Sequence, residues 1–122
     1  MIHYKNDQEI ELMRESALLV SKTLSEVAKI LKPGITTISL DVFIGEFLRD
    51  NHAIPSFLNF HGYPFNSCIS VNDVVVHGFP GKYELKMEIS FLSMWALLKA
   101  DFMATMLTRL LLVKQNQKWF NW

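Results

Sequence analysis

The stretch FHGYPFNSCISVNDVVVHGFPG, residues 60–81, consists of short β-rich runs separated by turn residues. The apolar runs CISV and VVVH flank Asn72 and Asp73, a pair that predicts a hairpin or a tight bend. His77 ends the second run beside Gly78, so we expect it at the end of a strand. Rigid scaffolds often present reactive side chains at such positions, and this stretch is therefore expected to carry a functional site.

A long amphipathic helix is predicted on the N-terminal side of this stretch. Over residues 7–32 the apolar side chains recur at steps of three and four, which predicts one packing stripe. Asn6 or Asp7 can cap this helix, and Pro33 with Gly34 ends it. The stripe consists of Ile10, Met13, Ala17, Val20, Leu24, Val27 and Leu31. A coiled-coil dimer is the alternative, but the stripe is too short to favour it.

A second helix is predicted to follow, and it too is expected to serve packing. Thr36, Thr37 or Ser39 can cap its N-terminus. Apolar residues then keep helical spacing until Asp50 and Asn51. These residues are Leu40, Phe43, Ile44, Phe47 and Leu48.

The composition indicates a single domain without a strong charge preference. The chain has 122 residues, 50% of them hydrophobic, and a formal net charge of zero. This charge argues against a dominant interaction with nucleic acid or with acidic membranes. The single cysteine cannot form an internal disulfide, which fits a reducing compartment. Because the polar N-terminus lacks the pattern of a secretory signal, a cytoplasmic location is expected.

Few side chains before residue 87 are candidates for chemistry, and each also has a structural explanation. The clustered candidates are His61, Tyr63, Cys68, Asp73 and His77. A histidine beside an apolar run can be a hydrogen-bonded structural residue, and Cys68 can be a small buried residue. Tyr63 and Phe60 can line a pocket or close a core. Since the sequence has no metal pair at helical spacing and no phosphate-binding glycine loop, composition and spacing alone leave the function open.

The order of motifs over residues 1–86 resembles the N-terminal part of the type I methionine aminopeptidases. The motifs are EIELMRESA, LKPGITT, FHGYP, CISVND and VVHGFP. The resemblance implies an α+β fold, the N-terminal half of the pita-bread (creatinase/aminopeptidase-like) arrangement. It implies that His77 contacts the substrate and assists at the scissile amide, and that Phe60, Tyr63 and Cys68 surround the methionine side chain. Family members more often have Tyr at the position of Phe60.

The same resemblance implies a metal-dependent hydrolase that removes the initiator methionine of nascent proteins. In this family two divalent metals (Co, Mn, Fe or Zn) are held by two Asp, one His and two Glu, and they supply the hydroxide for hydrolysis. The two Asp should follow the block KYELK, residues 82–86, and they are missing from this chain. We therefore expect no metal ligands, no bound metal and no peptidase activity here. The expected partners are peptides that begin with methionine, with no nucleic acid and no specific membrane partner.

The composition changes sharply after Lys86. Every Gly, Pro and His lies before this point, whereas all three Trp and four of the six Met lie in residues 87–122. A reading-frame break explains the change: if KDGDI, the continuation that resembling proteins carry after KYELK, is written as the codons AAA GAT GGA GAT ATC, loss of the first G of GAT yields the observed Lys-Met-Glu-Ile start. We therefore predict two segments: residues 1–86 from the aminopeptidase domain, and residues 87–122 as an out-of-frame, non-native apolar tail.

The displaced frame can be tested codon by codon, because Met and Trp each have a single codon. Each displaced codon consists of the third base of one observed codon and the first two bases of the next. The displaced codon that spans Met94 and Trp95 must encode Val, and the one that spans Trp95 and Ala96 must encode Gly. The displaced codon before them permits Asp. This is the DVG that resembling proteins carry. The codons from Asp101 to Thr105 likewise permit FYGD or FHGD, the last four residues of the family's GFYGD or GFHGD block. The two recovered Asp codons are eleven apart, as in the family.

Two other interpretations of the tail remain open. Residues 87–122 can form a genuine apolar helix, but Lys99 and Asp101 oppose a membrane span, each at a cost of roughly 2.5–3.5 kcal/mol. Such a helix could still lie on a membrane surface. Alternatively, the chain is a non-enzymatic binding module that keeps the aminopeptidase fold.

Overall fold

The computed structural model describes residues 1–86, 90–111 and 120–121. Helices α1 (Asp7–Ile30) and α2 (Thr37–Asp50) come first, followed by the short strand β1 (Ile54–Pro55) and a 3₁₀ turn (Phe60–Gly62). Strands β2 (Ser67–Val71), β3 (Ser90–Lys99), β4 (Phe102–Leu111) and β5 (Phe120–Asn121) complete the chain. The architecture is mixed helix and sheet, as expected.

Helix α1 begins where its capping residues predict. Asn6 and Glu9 form a capping box, in which each side chain accepts the other residue's backbone N–H at 2.8 Å. The helix ends before Pro33, and Gly34 follows with a φ of +92°, a conformation that favours glycine.

The predicted packing stripe of α1 is wrong over its first turns. Ile10 and Met13 are 45% and 39% exposed, while Ser16 and Thr23 are buried with Leu19, Val20 and Val27. The two buried hydroxyls are satisfied because each donates to a backbone carbonyl, that of Thr23 to Leu19 O at 2.7 Å. The buried face of α1 is thus partly polar.

Helix α2 also follows its prediction. Thr36 caps it by accepting the N–H of Ser39 at 3.2 Å. Leu40, Ile44 and Leu48 enter the core, and the predicted Phe43 and Phe47 pack against it only partly buried. The side chain of Asp41 is buried on the same face, a feature that the apolar pattern does not show.

One antiparallel sheet organises the described residues. Strand β3 lies in its middle and pairs with β4 along its full length, from Ser90 opposite Leu111 to Lys99 opposite Phe102. Strands β1 and β2 share the other edge of β3. Strand β2 pairs with the first half of β3, and strand β1 pairs with the C-terminal end of β3. Strand β5 extends the sheet beyond β4. Helix α1 packs on β3 and β4, whereas α2 packs on β1 and β2.

The bend predicted at Asn72 is present, but the run VVVH is not a strand. Asn72 has a φ of +52°, and the valines after it are exposed, Val75 by 78%. One backbone hydrogen bond then returns the chain to β2, from Ile69 N to Gly78 O at 2.8 Å. His77 consequently lies in a loop with a φ of +54°, not at a strand end.

The interpretation of the tail as a helix is wrong for the part that the structure describes. Residues 90–99 and 102–111 form the two longest strands, joined by a two-residue turn at Ala100 and Asp101, both with positive φ. Within the described residues, no helix has the length and apolar character needed to cross a membrane. The predicted tail also includes residues 87–89, 112–119 and 122, which lie outside the described residues.

Candidate functional site

An apolar cavity of about 520 Å³ opens beside β2. Its lining residues are Phe57, Phe60, His61, Gly62, Tyr63, Pro64, Cys68, His77 and Phe79. The four predicted site residues, Phe60, Tyr63, Cys68 and His77, are thus brought together from three separate sequence motifs. Asp73, which the sequence also offered as a candidate, is exposed and does not line the cavity.

The wall formed by Tyr63 is built from a tight loop. Asn59, His61 and Gly62 all have positive φ, and Asn59 N donates to Tyr63 O at 2.8 Å. The hydroxyl of Tyr63 donates to Ser67 O at 2.9 Å, which ties the loop to β2. Strain of this kind in residues other than glycine persists where the surroundings enforce it, and here it shapes the cavity.

Aromatic side chains form most of the cavity. The ring of Tyr63 lies edge-on to that of Phe79 at 5.2 Å between centroids, and to that of Phe65 at 5.8 Å. Phe57 adds a third edge-on contact to Tyr63 at 6.4 Å. Such pairs contribute about 0.5–1.5 kcal/mol each beyond their buried area. Phe60 is 64% exposed, so it lies at the rim of the cavity.

Cys68 and His77 meet at the floor of the cavity. Cys68 Sγ lies 3.7 Å from His77 Nδ1, although nine residues separate them in sequence. Burial raises the pKa of the Cys68 thiol, and the nearby Tyr63 hydroxyl offsets part of this rise. Burial also raises the pKa of Tyr63. At neutral pH both groups are therefore protonated.

The loop that carries His77 depends on a close backbone approach. A Cβ at Gly78 would collide with the carbonyl oxygen of Ile69 and lie 2.9 Å from the Cα of Ser70. Gly78 N also donates to the hydroxyl of Ser70 at 3.0 Å. Only glycine permits this approach, which holds His77 against β2.

The start of β2 is anchored by a buried carboxylate that the sequence reasoning missed. Asp41 Oδ1 accepts from the N–H of Ser67 at 2.7 Å and from its hydroxyl at 2.6 Å. Asp41 Oδ2 accepts from the backbone and side-chain nitrogens of Asn66 at 3.2 and 3.0 Å. The sequence feature that could have indicated this anchor is an acidic residue inside the apolar stripe of α2. Because Cys68 follows Ser67, this anchor also positions the cavity floor.

Other lining residues were missed because their role depends on the loop geometry. Phe57 and Phe79 lie outside the quoted blocks or at their ends, yet both contact Tyr63. His61, a candidate without an assigned role, lines the cavity and lies edge-on to Phe60 at 4.4 Å. The sequence feature that could have indicated these lining residues is the high number of aromatic residues in the stretch 57–65.

The described residues do not provide a metal site of the carboxylate type. Within residues 1–86, 90–111 and 120–121, no group of three or more His, Cys, Asp and Glu side chains is placed to hold a metal ion. The one close pair at the cavity, Cys68 with His77, includes no carboxylate. A site that binds two hard divalent ions through Asp and Glu does not fit this donor set.

Comparisons with known proteins give one consistent result. The model of metallopeptidase family M24 matches residues 11–120. Over 86 residues the chain is 48% identical to the methionine aminopeptidase of Clostridium perfringens and 42% identical to methionine aminopeptidase 1 of Bacillus subtilis. These matches cover 70% of this chain and 34% and 35% of the relatives. The chain thus spans about a third of their length.

Solved structures agree with the sequence relatives. Methionine aminopeptidase from Rickettsia prowazekii matches with a TM-score of 0.89 at 27% identity, covering 93% of this chain and 46% of that protein. The enzyme from Thermotoga maritima matches with a TM-score of 0.83 at 26% identity, covering 96% and 48%. The prolidase of Pyrococcus horikoshii, at 10% identity and a TM-score of 0.74, shares the fold alone.

Proposed function

The chain belongs to metallopeptidase family M24, and we propose that its cavity binds the side chain of an N-terminal methionine. The observation that carries this proposal is the convergence of Phe60, Tyr63, Cys68 and His77 on one cavity. The motifs that supply them resemble those of methionine aminopeptidases. The proposed role is recognition of nascent proteins in the cytoplasm.

The cavity chemistry suits a thioether side chain. Aromatic edges and faces from Phe57, Tyr63 and Phe79 surround it, and sulfur–aromatic contacts contribute about 0.3–1.5 kcal/mol each. Few polar atoms interrupt this wall, so a charged side chain would lose its hydration without gaining a partner. His77 lies beside the cavity floor, where it can contact the peptide that follows the methionine.

We further propose that this chain lacks peptidase activity. Hydrolysis in the family uses divalent metals to polarise the amide and to generate hydroxide, and the described residues do not fit such a centre. The described residues can bind a methionine side chain and orient the amide, but among them no set of side chains is placed to hold a metal ion that would activate water. As part of the same proposal, this chain does not bind the divalent ions of the family, Co, Mn, Fe or Zn.

The register of the sheet supports the proposed frame break after Lys86. In the displaced frame, the codons of the two missing Asp end within the observed codons of residues 94 and 105. Position 94 pairs with 107, two residues from 105 on the same strand, so 94 and 105 are diagonal neighbours on one face of the sheet. Position 94 also pairs with Cys68 of β2. Aspartates restored at 94 and 105 would thus share a face beside the cavity, as a two-metal centre requires.

The pairwise similarity is compatible with the break, because 48% identity covers 86 residues, but the family model matches residues 11–120 and so extends across residue 86. The proposed boundary at residue 86 divides the chain into 1–86, from the aminopeptidase domain, and 87–122, translated out of frame.

The test combines binding and turnover. The purified chain is titrated with methionyl-alanine and, as a matched control, with lysyl-alanine, while heat-induced unfolding is followed by circular dichroism. We expect stabilisation by the methionyl peptide alone and no hydrolysis above a metal-only blank with added cobalt or manganese. Equal effects of the two peptides would refute methionine recognition, and turnover above the blank would refute inactivity. Sequencing the gene through the codon of Lys86 tests the frame break separately.

A further inference from the structure

We propose that Asp41, Gly45 and Arg49 of helix α2 position the Tyr63 wall of the cavity and thereby determine how tightly the cavity holds a side chain. The three residues follow one another at steps of four, so they share one face of the helix. None of them lines the cavity. The positioning of the wall does not depend on the occupant of the cavity, whereas the effect on methionine binding rests on the proposed function.

Two of these residues hold the side chain of Asn66 by both ends of its amide. Asn66 Nδ2 donates to Asp41 Oδ2 at 3.0 Å and to the backbone oxygen of Asp41 at 3.3 Å. Arg49 donates to Asn66 Oδ1 at 3.2 Å. Asn66 is only 9% exposed, and hydrogen bonds in such a buried network rigidify the groups that they join. The amide is therefore fixed against α2 in one orientation.

The third residue, Gly45, allows Asn66 to lie close to the helix. A Cβ at this position would lie 2.6 Å from Nδ2, 2.7 Å from Cγ and 2.9 Å from Oδ1 of Asn66. Because heavy atoms in contact are normally about 3.5–4.0 Å apart, the amide would have to withdraw from α2 by roughly 1 Å. The missing side chain of Gly45 thus determines the distance between residue 66 and the helix.

The residues on either side of Asn66 support the Tyr63 wall. The ring of Phe65 lies edge-on to that of Tyr63 at 5.8 Å between centroids, and the carbonyl oxygen of Ser67 accepts the Tyr63 hydroxyl at 2.9 Å. Ser67 is itself bound to Asp41 through its N–H and its hydroxyl. A displacement of Asn66 away from α2 therefore moves both supports of Tyr63.

Strand β2 separates the three helix residues from the cavity. Ser67 is bound to Asp41 of α2, whereas the next residue, Cys68, lines the cavity, as expected from the alternation of side chains along a strand. The helix residues thus act on an occupant only through residues 65–67 and Tyr63. A change of one methylene in an apolar pocket alters discrimination by about 10- to 200-fold, so a wall displaced by a comparable distance should weaken binding at least about tenfold.

The position of the wall can be measured without a ligand. The chain has three tyrosines, so incorporation of 3-fluorotyrosine gives three resonances in fluorine NMR, and Tyr63→Phe identifies that of Tyr63. We expect Gly45→Ala to shift this resonance beyond its line width. Gly81→Ala is the matched control and should leave the resonance in place, because a Cβ there meets no atom within 4 Å. Equal shifts in the two variants, or no shift in Gly45→Ala, overturn the proposal.

A second substitution distinguishes positioning through Asn66 from a general change in α2. Asn66→Ala removes the three atoms that the added Cβ would approach. We therefore expect Gly45→Ala to shift the Tyr63 resonance when Asn66 is present and not when residue 66 is alanine. An equal effect of Gly45→Ala in both backgrounds overturns the proposal.

Arg49→Met keeps the proposal testable if Gly45→Ala does not fold by circular dichroism. It removes the donor to Asn66 Oδ1 from a residue at the helix surface, and we expect it to shift the Tyr63 resonance. The control Arg14→Met breaks an exposed ion pair with Glu11 on α1 and should not shift it. Equal shifts in the two variants, or none in Arg49→Met, overturn the proposal.

Affinity measurements separate this inference from methionine recognition. By calorimetry, Gly45→Ala should bind methionyl-alanine at least about tenfold more weakly than the unaltered chain, and Gly81→Ala should bind it equally well. Equal affinities of the two variants overturn the effect on binding. If the unaltered chain does not bind methionyl-alanine, the proposed function is refuted and the Tyr63 resonance alone decides the positioning. Methionine binding by every variant with an unmoved Tyr63 resonance supports the proposed function and refutes the positioning.

Discussion

Replacement of Asp41 by asparagine preserves the shape of the side chain but replaces one acceptor oxygen by a donor group. In the native chain four N–H and O–H groups of Asn66 and Ser67 point at the two carboxylate oxygens, at distances of 2.6–3.2 Å. The amide of the variant offers one oxygen, so two of the four donors lose their acceptor in a buried site. A hydrogen bond to a charged group contributes about 1.5–3 kcal/mol. The expected loss of unfolding free energy is therefore about 3–6 kcal/mol.

Urea denaturation followed by circular dichroism measures this loss. With a slope of about 2 kcal/mol per molar urea, the midpoint should fall by about 1.5–3 M. This is a large part of the total stability of a small domain, about 5–15 kcal/mol. The variant Glu46→Gln, in which an exposed carboxylate on the same helix is neutralised, serves as the control and should change stability by less than about 0.5 kcal/mol. If Asp41→Asn loses no more stability than this control, the carboxylate does not anchor β2 as argued.

Three further predictions concern the loops and the cavity. Ala100→Gly should raise the unfolding free energy by about 1 kcal/mol, because the β3–β4 turn requires a positive φ of +48° at this residue; an unchanged urea midpoint would argue against this hairpin. Gly78→Ala should lower the urea midpoint, because its Cβ would collide with the backbone of β2; an unchanged midpoint would contradict the close approach. Because burial raises the pKa values of Cys68 and Tyr63, their contribution to stability is full below the ordinary thiol pKa of about 8.5 and decreases as pH rises above it. Thermal scans from pH 7 to 11 should show this decrease in stability. In Cys68→Ala the part of the decrease that begins near pH 9 should be absent. A decrease that begins at the same pH in both chains would contradict the assignment.

The helices were predictable because their signals are local. The capping box of Asn6 and Glu9 and the stop at Pro33 and Gly34 act within a few residues of chain. The buried face of α1 was less predictable, since Ser16 becomes buried only when its hydroxyl reaches the carbonyl of Phe102, 86 residues away. A polar residue of this kind is invisible to an apolar pattern.

The candidate site was predicted in its members but not in its shape. Through their resemblance to a family, the motifs around Phe60, Cys68 and His77 indicated residues that line one cavity, and the roles of these residues stay predictions. The run VVVH was predicted to be a strand because its valines favour extended structure. In the fold, one edge of β2 pairs with β3 and the other receives Gly78, so the valines remain in an exposed loop.

The sequence by itself determined the two capped helices, the bend at Asn72 and the family. These features depend on neighbouring residues or on the order of short blocks. Only the tertiary structure decided that Cys68 lies 3.7 Å from His77 and that Asp41 supports both through β2. Contacts between residues 9 to 26 positions apart depend on how helix, strand and loop pack against one another, and this packing is a property of the whole chain.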